Sequence, residues 1–121
     1  MVKVQRKKTM KIAIPLAEDK LAMHFGHCGH FALVDVDETE KKILHREDQV
    51  PPLHEPGALP KWLAEKGATL IIAGGMGQRA QELFTQSGIK VMVGAPAETP
   101  EVIIAAFLDG TLATGDNICD H

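Results

Sequence analysis

TLIIAGGMGQRAQELFTQSGIKVMV, residues 69–93, decides the fold class. Thr69 to Ala73 is a short apolar run rich in β-branched residues, which suits a strand buried on both faces. Gly74-Gly75-Met76-Gly77 turns the chain. Gln78 to Gln86 then places Ala80, Leu83 and Phe84 on one helical face, and Ile89 to Val93 is a second strand. A strand, helix, strand unit of this length requires a parallel pair and a right-handed crossover, so the chain is α/β.

Working outward, Met10 to Leu16 (MKIAIPL) reads as a first strand ending at Pro15. Phe31 to Asp37 and Lys41 to Val50 read as a second and third strand joined by the polar turn DETE. Pro51, Pro52, Pro56 and Gly57 interrupt regular structure before Leu59, Trp62 and Leu63 recur at helical spacing up to Gly67. Downstream, Thr99-Pro100-Glu101 reads as an N-cap, a first-turn proline and an acid at the positive end of a last helix, which Gly110 closes. The expected architecture is a three-layer α/β/α domain of ribonuclease H-like type. Its sheet has five strands, is mixed, and runs in the order 3-2-1-4-5 with strand 2 antiparallel to the rest.

The 121 residues suit one domain. The expected division is a basic, flexible start over residues 1–9, a single domain over 10–110, and a tail over 111–121 carrying Cys119 and His121. Outside Lys3, Arg6, Lys7 and Lys8, nine basic residues face sixteen acidic ones, a balance that repels phosphate backbones and argues against nucleic acid. The longest strongly apolar stretches, such as Val102 to Leu108, fall far short of the ~20 residues needed to span a bilayer. With no signal-type h-region or small-residue cleavage site after the basic start, the expectation is a cytoplasmic protein that neither enters nor crosses a membrane. Two cysteines ninety-one positions apart make no disulfide framework.

The chemistry is concentrated in HFGHCGHF, residues 24–31. His24, His27, Cys28 and His30 stand there, and Cys119 and His121 repeat the same donor types at the end. Thiolate and imidazole select zinc, copper and iron-sulfur species over magnesium or calcium. In an extended segment His24, Cys28 and His30 share a side while His27 points away. Ligands in open α/β sheets bind beyond the carboxyl ends of the strands, where the histidine loop and the Gly74 to Gly77 turn should face one crevice. The glycines allow close backbone approach, and the helix start offers free N–H groups to an anion. The alternative is hydrogen-bonded loop histidines with inert thiols, and a tight strand-to-helix turn at the glycines. His45, His54 and Arg79 are taken as structural or solvated, and Met23 as a packing residue. The spacing lacks the C-x-x-C of a thiol-disulfide enzyme and the paired cysteines of a zinc finger.

Taken together, His24-Phe25-Gly26, Phe31, Ile71-Ile72-Ala73-Gly74-Gly75-Met76-Gly77, Ala80, Leu83-Phe84 and Gly88-Ile89-Lys90-Val91 resemble the dinitrogenase iron-molybdenum cofactor biosynthesis family. The resemblance covers roughly residues 10–110 and implies the ribonuclease H-like fold. It also implies a protein that carries or inserts the iron-molybdenum cofactor or its iron-sulfur precursor, with His24 as cluster ligand. His27 stands where many relatives have arginine.

The combined expectation is a non-enzymatic carrier or scaffold, a nitrogenase accessory type, for an iron-sulfur or iron-molybdenum type cluster or a metal ion. His24 and Cys28 would ligate, His27 and His30 would flank, Cys119 and His121 would close from the tail, and the Gly74, Gly75, Met76 and Gly77 backbone would face the cluster. Its partners would be the cluster and a protein that delivers or receives it. The rival readings are a thiol-dependent redox enzyme using Cys28 and a simple Cys/His zinc-binding protein.

Overall fold

The computed structural model describes residues 9–23, 29–51 and 58–112. Its strands are β1 (Thr9–Ala17), β2 (Lys20–Leu21), β3 (His30–Asp37), β4 (Lys42–Gln49), β5 (Ala68–Ile72) and β6 (Lys90–Met92). Its helices are α1 (Ala58–Glu65), α2 (Gln78–Gln86) and α3 (Pro100–Asp109). The path through the sheet is β4-β3-β1-β5-β6, with β2 also paired to β1. The sheet is mixed as expected: β3 is antiparallel to β1 and β4, while β1, β5 and β6 are parallel.

Strand alternation sorts the apolar residues onto two faces. Ala13, Phe31, Leu33 and Ile71 join Leu59 and Leu63 of α1 and Phe84 of α2 in one buried cluster. Ile12, Ile14, Val34, Leu70 and Ile72 join Ile103 and Ile104 of α3 in the other. Both faces of the central strands are covered, which is why β5 reads ATLII rather than as an apolar-polar alternation. Each buried Ile, Leu or Phe contributes roughly 1.5–3 kcal/mol. Among the described residues, no helix is long and apolar enough to cross a membrane.

The helix ends follow local chemistry. The Thr99 hydroxyl accepts from Val102 N at 3.4 Å, Pro100 opens α3, and Gly110 (φ 75) ends it in the left-handed region. The turn between β3 and β4 is held by Asp37, whose Oδ1 accepts from Thr39 N at 2.9 Å and Glu40 N at 3.1 Å.

Two strand expectations need correction. The first strand continues through Pro15 to Ala17, and the sheet has six strands rather than five because β2 lies in the stretch expected to be loop. Pro15 sits beyond the β5 register, which stops at Ala13 opposite Ile71. There it accepts from Ala22 N at 2.8 Å but has no N–H to return. The proline therefore limits β2 to two residues instead of ending β1.

Candidate functional site

β1, β5 and β6 point their carboxyl ends at one edge of the sheet, and the loops that follow them are joined by main-chain bonds. After β5, Ala73 N donates to Met92 O at 2.9 Å. After β6, Gly94 N donates to Gly74 O at 2.6 Å and Ala95 N to Ala73 O at 3.2 Å. Farther along that loop, Glu98 O accepts from Leu21 N at 2.9 Å. Residues 94–98 thus bridge the glycine turn to β2.

Across the same edge, the glycine turn meets the segment leading toward His24. A Cβ placed on Gly74 would lie 2.9 Å from Met23 Cα, 2.9 Å from Met23 O and 3.0 Å from Ala22 O. Only a residue without a side chain fits that approach. On the far side of residues 24–28, Gly29 N donates to Leu16 O at 2.9 Å, next to the Ala22 N to Pro15 O bond. Both described flanks of those five residues are therefore tied to the last residues of β1.

His24, His27 and Cys28, like Cys119 and His121, lie outside the described residues, as does His54. His30 is exposed at the head of β3, paired opposite Leu16. By alternation it belongs to the face of Ala32 and Val34, beyond the end of the α3-side core. Of the glycine turn, Gly74, Gly75 and Met76 are buried and Gly77 is exposed. The Met76 side chain belongs to the core under α1 and α2, so this position offers its backbone to the crevice and not its sulfur. Gly77 precedes α2 in extended conformation with no side-chain cap, and its carbonyl accepts the helix's first bond, from Gln81 N at 3.1 Å. The N–H groups of residues 78–80 consequently have no acceptor within the helix. His45 and Arg79 are exposed, consistent with solvated roles. Among the described residues, no three His, Cys, Asp or Glu side chains gather in a metal-holding group.

Beside this crevice is an open cleft of about 620 Å³ whose lining runs from the β1–β2 turn, Ala17, Glu18 and Lys20, through Leu21, Ala22 and Met23 to Ala97. Its β1–β2 turn passes through Glu18 (φ 53) and Asp19 (φ 65), both left-handed. Sequence reasoning placed the 94–99 loop at this edge but missed the hairpin and the Gly74 to Met23 approach. AEDK contains no Gly or Asn to mark a hairpin, and a glycine's neighbour across fifty positions leaves no local trace.

Two charged groups with perturbed titration, Arg46 and Glu101, lie where α3 meets the edge strand. Arg46 Nη1 donates to Glu101 Oε2 at 2.6 Å while its other nitrogens hold Asp48 at 2.8 and 2.9 Å. The hydrogen bond from Arg46 holds the Glu101 carboxyl below its ordinary range, and Asp48 first, then Glu101, raise the guanidinium further. This pairing ties the start of α3, and with it the end of the 94–98 bridge, to β4.

The chain is 32% identical over 115 residues to the protein MJ0580 of Methanocaldococcus jannaschii, covering 93% of this chain and 97% of that one. The crystal structure of PH0822 superposes with a TM-score of 0.79 at 32% identity, over 88% of this chain and 96% of that one. The apo form of the orange protein from Desulfovibrio gigas has the same fold, with a TM-score of 0.68 at 23% identity over 93% and 98% of the two chains. The family profile described as dinitrogenase iron-molybdenum cofactor matches residues 8–110.

Proposed function

Because the chain belongs to the dinitrogenase iron-molybdenum cofactor family, we propose that it is a nitrogenase-cofactor accessory protein. In this reading it is a non-enzymatic carrier or scaffold whose cargo is an iron-sulfur or iron-molybdenum type cluster or a metal ion. His24 and Cys28 are its primary ligands, His27 and His30 stand beside them, and Cys119 and His121 close from the tail. The same reading takes the fold as ribonuclease H-like, the setting as the cytoplasm, and the partner as a protein that delivers or receives the cargo.

The observation that carries the proposal is the closed approach of Gly74 to Ala22 and Met23. It brings the main chain of the glycine turn, which leads into the free N–H groups at the start of α2, against the residues that lead into His24. An anionic cluster presents sulfide acceptors to N–H groups and metal atoms to thiolate and imidazole, so the two walls are chemically complementary to it. The described residues fit as the frame of such a site, and the soft donors come from 24–28 and the tail.

The test is anaerobic reconstitution with iron, sulfide and molybdate, comparing metal content and visible absorption with a His24→Ala, Cys28→Ser double variant. The parent should load and the variant should not. Equal loading of the two would defeat the carrier reading.

A further inference from the structure

We infer that Gly74 is a positioning residue, whose missing side chain sets the approach of the glycine turn to Ala22 and Met23 while residues 94–98 strap the two walls together. Its use rests on the carrier reading; its geometry does not. The atoms a Gly74 Cβ would meet, Met23 Cα and O and Ala22 O, are all backbone, so no side-chain rotation relieves the contact. Either the turn retreats or Met23 moves. Retreat pulls on the bond from Gly94 N to Gly74 O, at 2.6 Å. Movement of Met23 pulls on Ala22 N to Pro15 O at 2.8 Å and Leu21 N to Glu98 O at 2.9 Å.

Residues 94–98 make these alternatives one mechanical unit, since one end of the strap bonds the turn and the other bonds β2. A displacement at either wall is passed to the other and to the backbone preceding His24. Gly29 and Gly77 at this edge are not so confined, since a Cβ on either would meet nothing within 4 Å. The Met23 side chain is 44% exposed, so what Gly74 pins is the main chain of the crevice wall rather than a packed side chain.

The experiment compares Gly74→Ala with Gly88→Ala in the full chain. Gly88 (φ 82) follows α2 at the opposite edge, where an added Cβ meets nothing, so its substitution strains only the backbone and reports general destabilisation. One arm titrates cobalt(II), whose visible spectrum reports the geometry of thiolate and imidazole ligands. The other follows hydrogen exchange at the amides of Leu21, Ala22 and Gly94.

Gly74→Ala should weaken cobalt binding by at least about tenfold, the range for lost support of a ligand, alter the band, and speed exchange at those three amides. Gly88→Ala should lower the melting temperature while keeping affinity, band and crevice protection. The inference is overturned if Gly74→Ala keeps the parent's affinity and band, whatever its exchange, or if Gly88→Ala reproduces the crevice changes. If the parent takes up no cobalt, the carrier reading stands or falls on the iron, sulfide and molybdate reconstitution, and the exchange arm alone decides the strap. Should Gly74→Ala not fold, Gly94→Ala (φ 84) strains the strap at the end bonded to the glycine turn and should give the same pattern.

Discussion

The β1–β2 turn stores strain that substitution should release. Ala17 pairs with Lys20, leaving Glu18 and Asp19 as a two-residue loop with φ of 53 and 65. Left-handed conformation at both positions is that of a type I′ turn, for which Asn-Gly is the favoured pair. A residue with a Cβ pays roughly 1–2 kcal/mol to sit there, with Asn and Asp at the low end. Replacing Glu18 with Asn should recover about 0.5–1 kcal/mol. Replacing Asp19 with Gly should recover a similar amount, offset by about 0.5 kcal/mol of added unfolded-chain entropy.

The Glu18→Asn, Asp19→Gly variant should therefore be more stable by about 1 kcal/mol. With a urea m-value of about 2 kcal/mol/M, the midpoint should rise by about 0.5 M at unchanged slope. Trp62, the sole tryptophan, provides the assay: it packs edge-on against Phe31 with centroids 6.0 Å apart, and Phe31 pairs with Pro15 of β1. Its emission follows unfolding from beside the hairpin. An unchanged or lower midpoint would refute the argument that this turn is strained, and would mean that the left-handed pair is held by contacts of the Glu18 or Asp19 side chains. Retained strain beside a candidate site is a pattern seen where geometry at the site is worth more than stability.

The cap of α3 offers a second check: Thr99→Ala should cost about 0.5–1 kcal/mol, the low part of the usual range because the bond is 3.4 Å long. A circular-dichroism melt should show a fall of about 2–4 °C, and Thr99→Ser should restore it. The Arg46 to Glu101 pair gives a third, in pH. Hydrogen bonding to Arg46 depresses the folded-state pKa of Glu101, so its stabilisation is present above the unfolded value of roughly 4.3 and is lost as pH falls through the folded value. Glu101 is half exposed, so screening holds the effect to at most about 1 kcal/mol. Urea midpoints of Glu101→Gln should lie below the parent's at neutral pH, converge with it as pH falls below the depressed folded-state value, and differ less in high salt.

What the sequence discloses tracks how local the determining physics is. Gln78–Gln86, the Thr99-Pro100-Glu101 start and the Gly110 stop are each set by residues within a few positions, and all are found where the chain chemistry places them. β2 escaped because its turn residues are unfavourable ones held by distant partners: Leu21 is buried in the α3-side core and its N–H is taken by Glu98 O. Pro15 misled for the same reason, since a missing donor ends a strand only if a neighbour needs it, and the neighbour there is two residues long. At the site, the glycine turn and the sheet edge it occupies were legible, whereas His24, His27 and Cys28 lie outside the described residues. That Gly74 is glycine because of Met23, while Gly77 is open to solvent, is a long-range fact without a sequence signature.

A division of labour follows from how this edge is built. The bonds joining the three loops run between main-chain atoms, and the close approach at Gly74 is backbone against backbone. Such a frame makes few demands on side-chain identity in the segment it supports, so donors between Met23 and Gly29 can change without dismantling the edge. Under the carrier reading, cargo preference is then a property of those few side chains, whereas crevice width belongs to Gly74 and the strap. Exchanging His27 for Arg should accordingly alter which metal or cluster loads while leaving exchange at Leu21, Ala22 and Gly94 unchanged. Parallel changes in both would mean that frame and ligands are one cooperative unit, and the division would be wrong.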